Sequence, residues 1–291
     1  MREANEFYSN EISLERPQVL NIKNFAIIAP FYLALNGCFV VVAGFLFYGE
    51  NFDFLVLLAA FLATYSVYSL NKATDKVEDE INQTGLDTKS TKFFTWSAFT
   101  ATTISLAIGL MISPSVVVVL LTPMLVGLVY SVKLSKNIPR IKEIPGVKSV
   151  SVALCWAFTG SILPAVTQPI LWEKVFLVFL YIFINILVNT ILFDVLDMKG
   201  DLKSGVKTIP HLLGHRKTKR FLLSMNSSVF LWITYCVFRG YFLNYIPALL
   251  FGVFYVYFLL FYFLKNRQLR SRAGLMIDGE WIPITLLMII F

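Results

Sequence analysis

The polypeptide between residues 175 and 193 reads VFLVFLYIFINILVNTILF, a run of nineteen residues without a charged side chain. A helix that crosses the hydrocarbon core of a bilayer needs about 20 predominantly apolar residues, so this run predicts a transmembrane helix. Runs near that length recur along the chain, at 24–48, 52–70, 93–112, 115–132, 147–167, 173–193, 219–238, 242–264 and 276–291. The sequence therefore predicts an all-α polytopic membrane protein with about nine transmembrane helices.

The composition excludes the other broad classes of protein. Hydrophobic residues make up 57% of the 291 residues, and only 15% are charged, against about 25% in ordinary soluble domains. A soluble or disordered chain could not hide so much apolar surface. The three cysteines, Cys38, Cys155 and Cys236, lie far apart in apolar runs without metal-ligand spacing. We interpret each as a small buried hydrophobic residue.

Both ends of the chain need a separate interpretation. Residues 1–23 contain four Glu, and the first apolar run is too long for a signal-peptide core. We interpret 1–23 as an interfacial amino-terminal arm and 24–291 as one nine-helix domain. The last apolar run carries Asp278 and Glu280 near its start. It is expected either to begin later than residue 276 or to lie partly in the membrane interface.

The basic residues predict which way the helices face. With nine spans, 23 of the 25 Lys and Arg residues fall on the side of the amino terminus, and only Lys174 and Arg239 fall on the other. Cytoplasmic loops carry the excess of Lys and Arg, so the basic side is predicted to be cytoplasmic. We expect the net charge of +7 to reflect orientation and contact with anionic lipids. No motif for binding nucleic acid is present, and no obligate protein partner is evident.

Two helix ends on the basic side carry rows of polar and acidic residues. Asn71, Asp75 and Asp79 are spaced four apart after the second span, which places them on one face of a helix. Asp194, Asp197 and Asp201 are spaced at i, i+3 and i+7 after the sixth span and also share a face.

Like charges at this spacing repel, and near a membrane they also lose hydration, so each row needs a counter-charge. Lys76 or Lys199 could supply part of it. Mg²⁺ would supply more, because it binds one or two carboxylates together with water and phosphate oxygens. The residues therefore suggest two helix ends that face each other across Mg²⁺ and a phosphorylated ligand. The alternative is ordinary solvated helix ends.

These motifs resemble those of the UbiA-type intramembrane prenyltransferases. That family has N-x-x-x-D-x-x-x-D after its second helix and D-x-x-x-D after its sixth, matched here by Asn71–Asp79 and Asp197–Asp201. Further similarities are the pair Tyr130–Ser131, the basic loop from Lys142 to Lys148, a segment from Gly205 to Gly214, and the nine spans. The resemblance implies that these spans surround a central cavity that is open to the cytoplasmic side.

The chain departs from the family pattern after the first motif. Many members continue with Asn-x-Pro-x-Arg-Pro, and here Asn82 is present while the Pro and Arg are absent. Lys89 or Lys92 could replace the missing Arg. The departure argues against a close match to the chlorophyll, haem O or 4-hydroxybenzoate branches.

The resemblance implies that an isoprenyl group is transferred from a prenyl diphosphate to a lipophilic acceptor, through ionisation to an allylic cation. It assigns Asp75, Asp79, Asp197 and Asp201 as ligands of two Mg²⁺ ions that bridge the diphosphate. Asn71 would hydrogen-bond the diphosphate or a metal-bound water. Asp194 would bind metal or orient a basic side chain. The other substrate-binding candidates are Tyr68, Tyr130, Ser131, Lys142, Lys148 and Lys207.

Several alternatives remain open at this point. The acceptor could be an aromatic quinone precursor or a glycerol-phosphate ether, as in archaeal-type lipid synthesis. An ion- or proton-coupled transporter is the alternative of another class, because carboxylates within membranes also mark ion pathways. Transporter acids tend to lie near the midplane on broken helices, whereas the two rows lie at cytoplasmic helix ends. His211 and His215 are expected to lie on a solvated loop rather than to bind metal.

Overall fold

The computed structural model describes residues 22–75, 88–133, 135, 138–266 and 270–291, and these ranges are almost entirely helical. The helices are α1 (Ile22–Tyr48), α2 (Phe54–Thr74), α3 (Thr88–Ile112), α4 (Pro114–Ser131), α5 (Val147–Ala165), α6 (Trp172–Lys203), α7 (Ile209–Leu213), α8 (His215–Arg239), α9 (Ile246–Lys265), α10 (Arg270–Asp278) and α11 (Trp281–Ile290). Short 3₁₀ turns, Ile141–Glu143 and Leu243–Tyr245, precede α5 and α9. Most of the predicted amino-terminal arm lies outside the described residues.

The described part of the chain contains nine segments that are long and apolar enough to cross a membrane, as the sequence predicts. The ninth span, Ala273–Ile290, differs from the prediction because it combines α10 and α11. Asp278 and Glu280 therefore lie inside the span rather than near its start. The helix is interrupted at Gly279 and Glu280, between the end of α10 at Asp278 and the start of α11 at Trp281.

Helix α6 is the most buried of the spans and organises the bundle. It packs against α5 on one side and against α8 and α9 on the others. Its 32 residues extend for about 48 Å, which exceeds the roughly 30 Å thickness of the hydrocarbon core. The helix continues ten residues past the predicted end of the span at residue 193. The second acidic row is therefore held on a continuous, rigid helix.

Helix α2, in contrast, ends at the first acidic row. Thr74 is its last residue, and Asp75 leaves the helical conformation with φ −87° and ψ 38°. The amide N–H of Asp75 still donates to the Asn71 carbonyl, at 3.0 Å. The expected continuous helical face from Asn71 to Asp79 is thus wrong at Asp75. Asp79 itself lies outside the described residues.

Glycines bring α1 and α5 into close contact in the middle of the bundle. A Cβ atom on Gly44 would lie 2.1 Å from the Gly160 carbonyl oxygen, so no other residue fits there without movement of the backbone. A Cβ atom on Gly160 would in turn lie 2.5 Å from Val40. An open space lies next to this contact, between α1, α2, α4 and α5.

Two loops are joined at the same end of the bundle. Gly146 adopts φ +76° just before α5, a conformation that glycine enters without the penalty of a Cβ atom. Its amide N–H donates to the carbonyl of Lys207, which lies on the loop after α6, at 2.9 Å. This bond fixes the basic segment between α4 and α5 against the loop that follows the second acidic row.

Candidate active site

The first side of the site is built around Asp75, which is buried at the end of α2. The ammonium group of Lys142 forms an ion pair with its Oδ1, and this lysine is only 1% exposed. Arg140 lies next to it, with Nη1 3.7 Å from the same oxygen. Two basic side chains from one 3₁₀ segment therefore converge on a single carboxylate.

Arg140 is itself held in position by Glu143. Its Nε donates to Glu143 Oε1 at 2.8 Å, and its backbone N–H donates to Oε2 at 3.0 Å. Burial alone would raise the pKa of the Glu143 carboxyl, but the hydrogen bonds from Arg140 outweigh it and lower the pKa. The carboxylate of Glu143 thus stays charged and holds the guanidinium beside Asp75.

Asn71 and Tyr130 connect this side of the site to α4. The Ser131 hydroxyl donates to Asn71 Oδ1 at 3.0 Å, which joins the ends of α2 and α4. The Lys142 ammonium lies 5.8 Å from the centre of the Tyr130 ring, within the range of a cation–π interaction. These predicted site residues are therefore neighbours in space.

The second side of the site is the acidic row on α6, which is paired with Lys148. The Lys148 ammonium lies 2.7 Å from Asp201 Oδ1 and 3.2 Å from Asp194 Oδ1. Ser149 donates a hydrogen bond to the other oxygen of Asp194. Asp197 is half-buried and lies within electrostatic range of both other aspartates.

Asp201 is buried, and only one of its two carboxylate oxygens has a partner among the described residues. Its side chain is nearly inaccessible to solvent, and its Oδ2 has no hydrogen-bond partner in the described part of the chain. Burial raises the pKa of Asp201 to about 6, although the nearby Lys148 opposes the shift. A buried carboxylate oxygen without a partner is costly, and an additional cation would stabilise it.

The two sides face the same space. Tyr130 lies within electrostatic range of Asp75 on one side and of Asp194 and Lys148 on the other. The loop bond between Gly146 and Lys207 holds the two sides together from outside. The structure thus brings together Asn71, Asp75, Tyr130, Ser131, Lys142, Lys148, Asp194 and Asp201.

A mostly apolar cavity extends from this polar mouth into the bundle. Tyr68, Asn71, Tyr130 and Ser131 line its polar end, and valines, alanine and glycines line most of the rest. From Asn71 to Ala63 along α2 the cavity is about 12 Å deep, given 1.5 Å of rise per residue. The shape suits an elongated apolar chain with its charged head at the mouth.

An aromatic pair fixes one wall of the cavity. The Trp156 Nε1–H donates to the Tyr68 hydroxyl at 2.7 Å, and both residues line the cavity. This bond sets the orientation of both rings. Tyr68, predicted as a substrate-binding candidate, therefore lies on the cavity wall and makes a packing contact there as well.

Other basic residues named from the sequence lie away from this geometry. The side chain of Lys207 is exposed, and only its backbone carbonyl contributes, through Gly146. Lys89 and Lys92 are exposed on α3. Lys76 lies outside the described residues, as Asn82 does.

Sequence reasoning missed Arg140, which it counted only as loop charge. The available signal was the spacing Arg140-x-x-Glu143 in a basic loop, which allows a local ion pair but names no distant partner. His211 also differs from expectation, because it is half-buried rather than solvated. Its Nδ1 accepts from the Thr208 amide, so its Nε2 carries the proton and donates to the Met198 carbonyl at 3.0 Å. This histidine ties α7 to α6.

The donor set fits a hard divalent cation shared with a ligand. No group of three or more Asp, Glu, His or Cys side chains in the described ranges could hold a metal ion by itself. The carboxylates of Asp75, Asp194 and Asp201 instead approach one space from two sides, and Asp201 Oδ2 remains unpartnered. Mg²⁺ suits such a site, since it completes its shell with water and substrate phosphate.

Solved structures share this fold. A UbiA homologue from Archaeoglobus fulgidus bound to DMAPP and Mg²⁺ has a TM-score of 0.63 at 15% identity, covering 90% of this chain and 99% of its own. The apo structure of a UbiA homologue from Aeropyrum pernix K1 has a TM-score of 0.61 at 13% identity, covering 95% and 99%. A structure of digeranylgeranylglyceryl phosphate synthase has a TM-score of 0.60 at 15% identity, covering 92% and 98%. At these identities the similarity establishes the fold alone.

The sequence itself carries the family assignment. None of the curated protein sequences matches the chain. The model of the UbiA prenyltransferase family, however, matches residues 38–277, which includes most of the spans and both acidic rows. The resemblance inferred from the two aspartate motifs is thereby confirmed, and this chain belongs to the UbiA prenyltransferase family.

Proposed function

We propose that this protein transfers an isoprenyl group from a prenyl diphosphate to a lipophilic acceptor of the aromatic, quinone-precursor type. The observation that carries the proposal is that Asn71, Tyr130 and Ser131, which lie among the charged residues of the site, also line one end of the apolar cavity. A prenyl diphosphate has the same division between a charged head and an apolar chain. The family assignment and the relative bound to DMAPP and Mg²⁺ support the same substrate class.

The basic residues of the mouth would bind the diphosphate. Lys142 and Lys148 now neutralise aspartates on opposite sides, and each can turn its ammonium group toward a phosphate oxygen as a point charge. Arg140 adds a planar guanidinium that suits bidentate contact with phosphate. We assign to Arg140 the role of the arginine that is absent after the first motif. Asn71 would donate its amide N–H to the same group.

The aspartates of the two motifs would hold Mg²⁺, namely Asp75 and Asp79 of the first motif and Asp197 and Asp201 of the second. Bound Mg²⁺ would neutralise the charge that develops on the departing diphosphate. Asp194 already accepts from Ser149 and Lys148, so we give it the role of orienting Lys148. Ser131 orients Asn71 in the same way.

The reaction breaks the bond between the allylic carbon and the diphosphate oxygen, and the electron pair leaves with the diphosphate. The allylic cation that remains is stabilised by the faces of aromatic rings, and Tyr130 and Tyr68 lie at the mouth and on the cavity wall. An electron pair from the acceptor then forms the new carbon bond, and the acceptor loses a proton. The apolar walls exclude water, which would otherwise capture the cation.

A glycerol-phosphate ether is the second candidate acceptor. The structural similarity to digeranylgeranylglyceryl phosphate synthase favours testing it. We place the site on the cytoplasmic side of the membrane, since 23 of the 25 basic residues lie on that side.

A product screen tests the proposal. Purified protein in detergent with Mg²⁺ is incubated with dimethylallyl, geranyl, farnesyl or geranylgeranyl diphosphate, each with aromatic acids or geranylgeranylglyceryl phosphate, and products are identified by mass spectrometry. We expect a prenylated product that depends on Mg²⁺ and is lost in Asp201→Asn. Glu173→Gln is the matched control, because Glu173 is an exposed acidic residue at the opposite end of α6. Equal activity of Asp201→Asn and the control would refute the assignment of the site.

A further inference from the structure

A second polar group lies inside the membrane-spanning part of the protein, on the far side of α1 from the cavity wall. It surrounds Glu280, which occupies the interruption between α10 and α11 and is 0% exposed. Its other members are asparagines and aromatic residues of α1, α6 and α11, namely Asn36, Tyr181, Asn185, Asn189 and Trp281. We call this set the Glu280 cluster.

The cluster contains more hydrogen-bond acceptors than donors. Five buried oxygens have no hydrogen-bond partner in the described part of the chain: both carboxylate oxygens of Glu280 and the Oδ1 atoms of the three asparagines. The buried donors without a partner are the Tyr181 hydroxyl and Trp281 Nε1. Even if both donate within the cluster and the Asn189 amide also donates to Glu280, five acceptor oxygens face three donors, and a surplus of acceptors remains. Native proteins seldom leave such groups unpaired.

The α6 members of the cluster form one row. Tyr181, Asn185 and Asn189 are spaced four apart, so they lie on the same face of the helix. Tyr181 and Asn189, at the two ends of this row, both interact with Glu280. Asn185 lies between them, and its Nδ2 donates to the Tyr181 carbonyl at 2.8 Å, which leaves its Oδ1 as the free acceptor.

Helix α1 approaches the same region from the other side. The Tyr32 hydroxyl donates to the Leu275 carbonyl at 2.8 Å, and further along α1 the Phe39 carbonyl accepts from Thr285 at 3.0 Å. Asn36 lies between these two contacts on α1, as Glu280 lies between them on α10 and α11. The Tyr32 hydroxyl lies against Gly279 in the helix interruption, and Asn36, whose Oδ1 is unpartnered, lies one turn further along α1.

The Glu280 cluster is distinct from the proposed active site. None of its members is among the described residues that line the apolar cavity. Glu280 is seven residues from the start of its span, which places it about 10 Å inside. A carboxylate at that depth is expensive unless it is paired. The groups that interact with Glu280 include the Asn189 amide, the Tyr181 hydroxyl and the carboxyl of Asp278, two residues away.

We propose that the Glu280 cluster binds a Na⁺ ion, held by the Glu280 carboxylate and by the amide oxygens of Asn36, Asn185 and Asn189. Carboxylate and amide oxygens are the ligands that hard cations prefer. The cluster contributes one carboxylate, whose charge a monovalent ion balances. Helix interruptions inside membranes are recurrent sites of such coordination. The ion would join α1, α6 and the junction of α10 with α11.

Thermal unfolding of the full-length protein in detergent tests this proposal without any prenyl substrate. At constant ionic strength, NaCl is titrated against choline chloride. We expect Tm to rise with Na⁺ and then saturate, by about 5 °C when Na⁺ exceeds its Kd a hundredfold. Equilibrium binding of ²²Na⁺ should give one ion per chain.

Variants separate the Glu280 cluster from other sites. Glu280→Gln should abolish both the Na⁺-dependent rise in Tm and the binding of ²²Na⁺, and Asn185→Leu provides a second test if Glu280→Gln does not fold. Glu173→Gln, which changes an exposed carboxylate, should keep both. The proposal is overturned if the wild-type protein responds equally to Na⁺ and choline, in which case water satisfies the cluster. It is also overturned if Glu280→Gln and Asn185→Leu still bind one Na⁺. None of these outcomes depends on whether the protein transfers prenyl groups.

Discussion

Replacing Lys148 with methionine should change the binding of metal and of diphosphate in opposite directions. Lys148 neutralises Asp194 and Asp201 in the structure, with Nζ–Oδ1 distances of 3.2 and 2.7 Å. In our proposal the same ammonium group also binds the diphosphate. Methionine keeps much of the length and apolar character of the side chain while removing its charge.

The magnitude follows from the geometry of this residue. A hydrogen bond to a charged group contributes about 1.5–3 kcal/mol. Because the Lys148 side chain is 20% exposed, we take the lower part of that range, about 1.5–2 kcal/mol. This corresponds to an affinity for geranyl diphosphate, with Mg²⁺ present, that is about 10- to 30-fold weaker. The affinity for Mg²⁺ alone should rise, because Lys148 no longer competes for the oxygens of Asp194 and Asp201.

Isothermal titration calorimetry measures both affinities on the same preparation. Lys265→Met is the matched control, since Lys265 is an exposed lysine at the same end of the bundle. It should leave both affinities within about twofold of the wild-type values. A Lys148→Met variant whose affinities for Mg²⁺ and diphosphate fall together would refute the competition between lysine and metal. An unchanged diphosphate affinity would remove Lys148 from the substrate site.

Three further outcomes are expected. Binding of geranyl diphosphate with Mg²⁺ should weaken as the pH falls through about 6, because the pKa of Asp201 is raised to about 6 and its protonated form no longer holds a cation. Titrations at pH 5 and 7.5 measure this change, and equal affinities at the two pH values would contradict it. Thr159→Phe, which fills the deep part of the cavity, should weaken the binding of geranylgeranyl diphosphate at least about tenfold and that of dimethylallyl diphosphate much less. Equal losses of affinity for the two compounds would show that the isoprenyl chain lies elsewhere. Trp156→Phe should cost about 1 kcal/mol of stability by removing the bond to Tyr68, seen as a lower Tm in differential scanning fluorimetry, and an unchanged Tm would contradict this.

Hydropathy located the spans because each helix must satisfy its backbone polar groups internally, and this requires a long apolar run. It located their ends less well. Helix α6 continues to Lys203, and the ion pairs of Lys148 with Asp194 and Asp201 hold this end of the helix against the start of α5. At Asp75 the opposite occurs, and the chain leaves the helix where sequence spacing alone favoured continuation.

The partners of the acidic residues could be foreseen only in part. The two aspartate motifs indicated the site because each row is local in sequence. The pairing of Asp75 with Lys142 and Arg140 joins residues more than sixty positions apart, and no periodicity reports such a contact. Glu280 shows the same limit, because its burial depends on contacts with α1 and α6, which are distant in sequence. From hydropathy alone, Asp278 and Glu280 look like polar residues near the start of the ninth span, so the predicted start at residue 276 is later than the observed start at Ala273.

The length of α6 has a consequence for how a substrate could arrive. Asp201 lies beyond Met198, the last residue of the apolar span, by about 4.5 Å of helix. In our proposal, a prenyl diphosphate in the leaflet on this side of the membrane would keep its phosphates at nearly this height. Such a molecule would then enter the bundle with its head at the water boundary throughout. Transfer of the diphosphate group through the hydrocarbon core would not be required, and only the isoprenyl chain would change its surroundings.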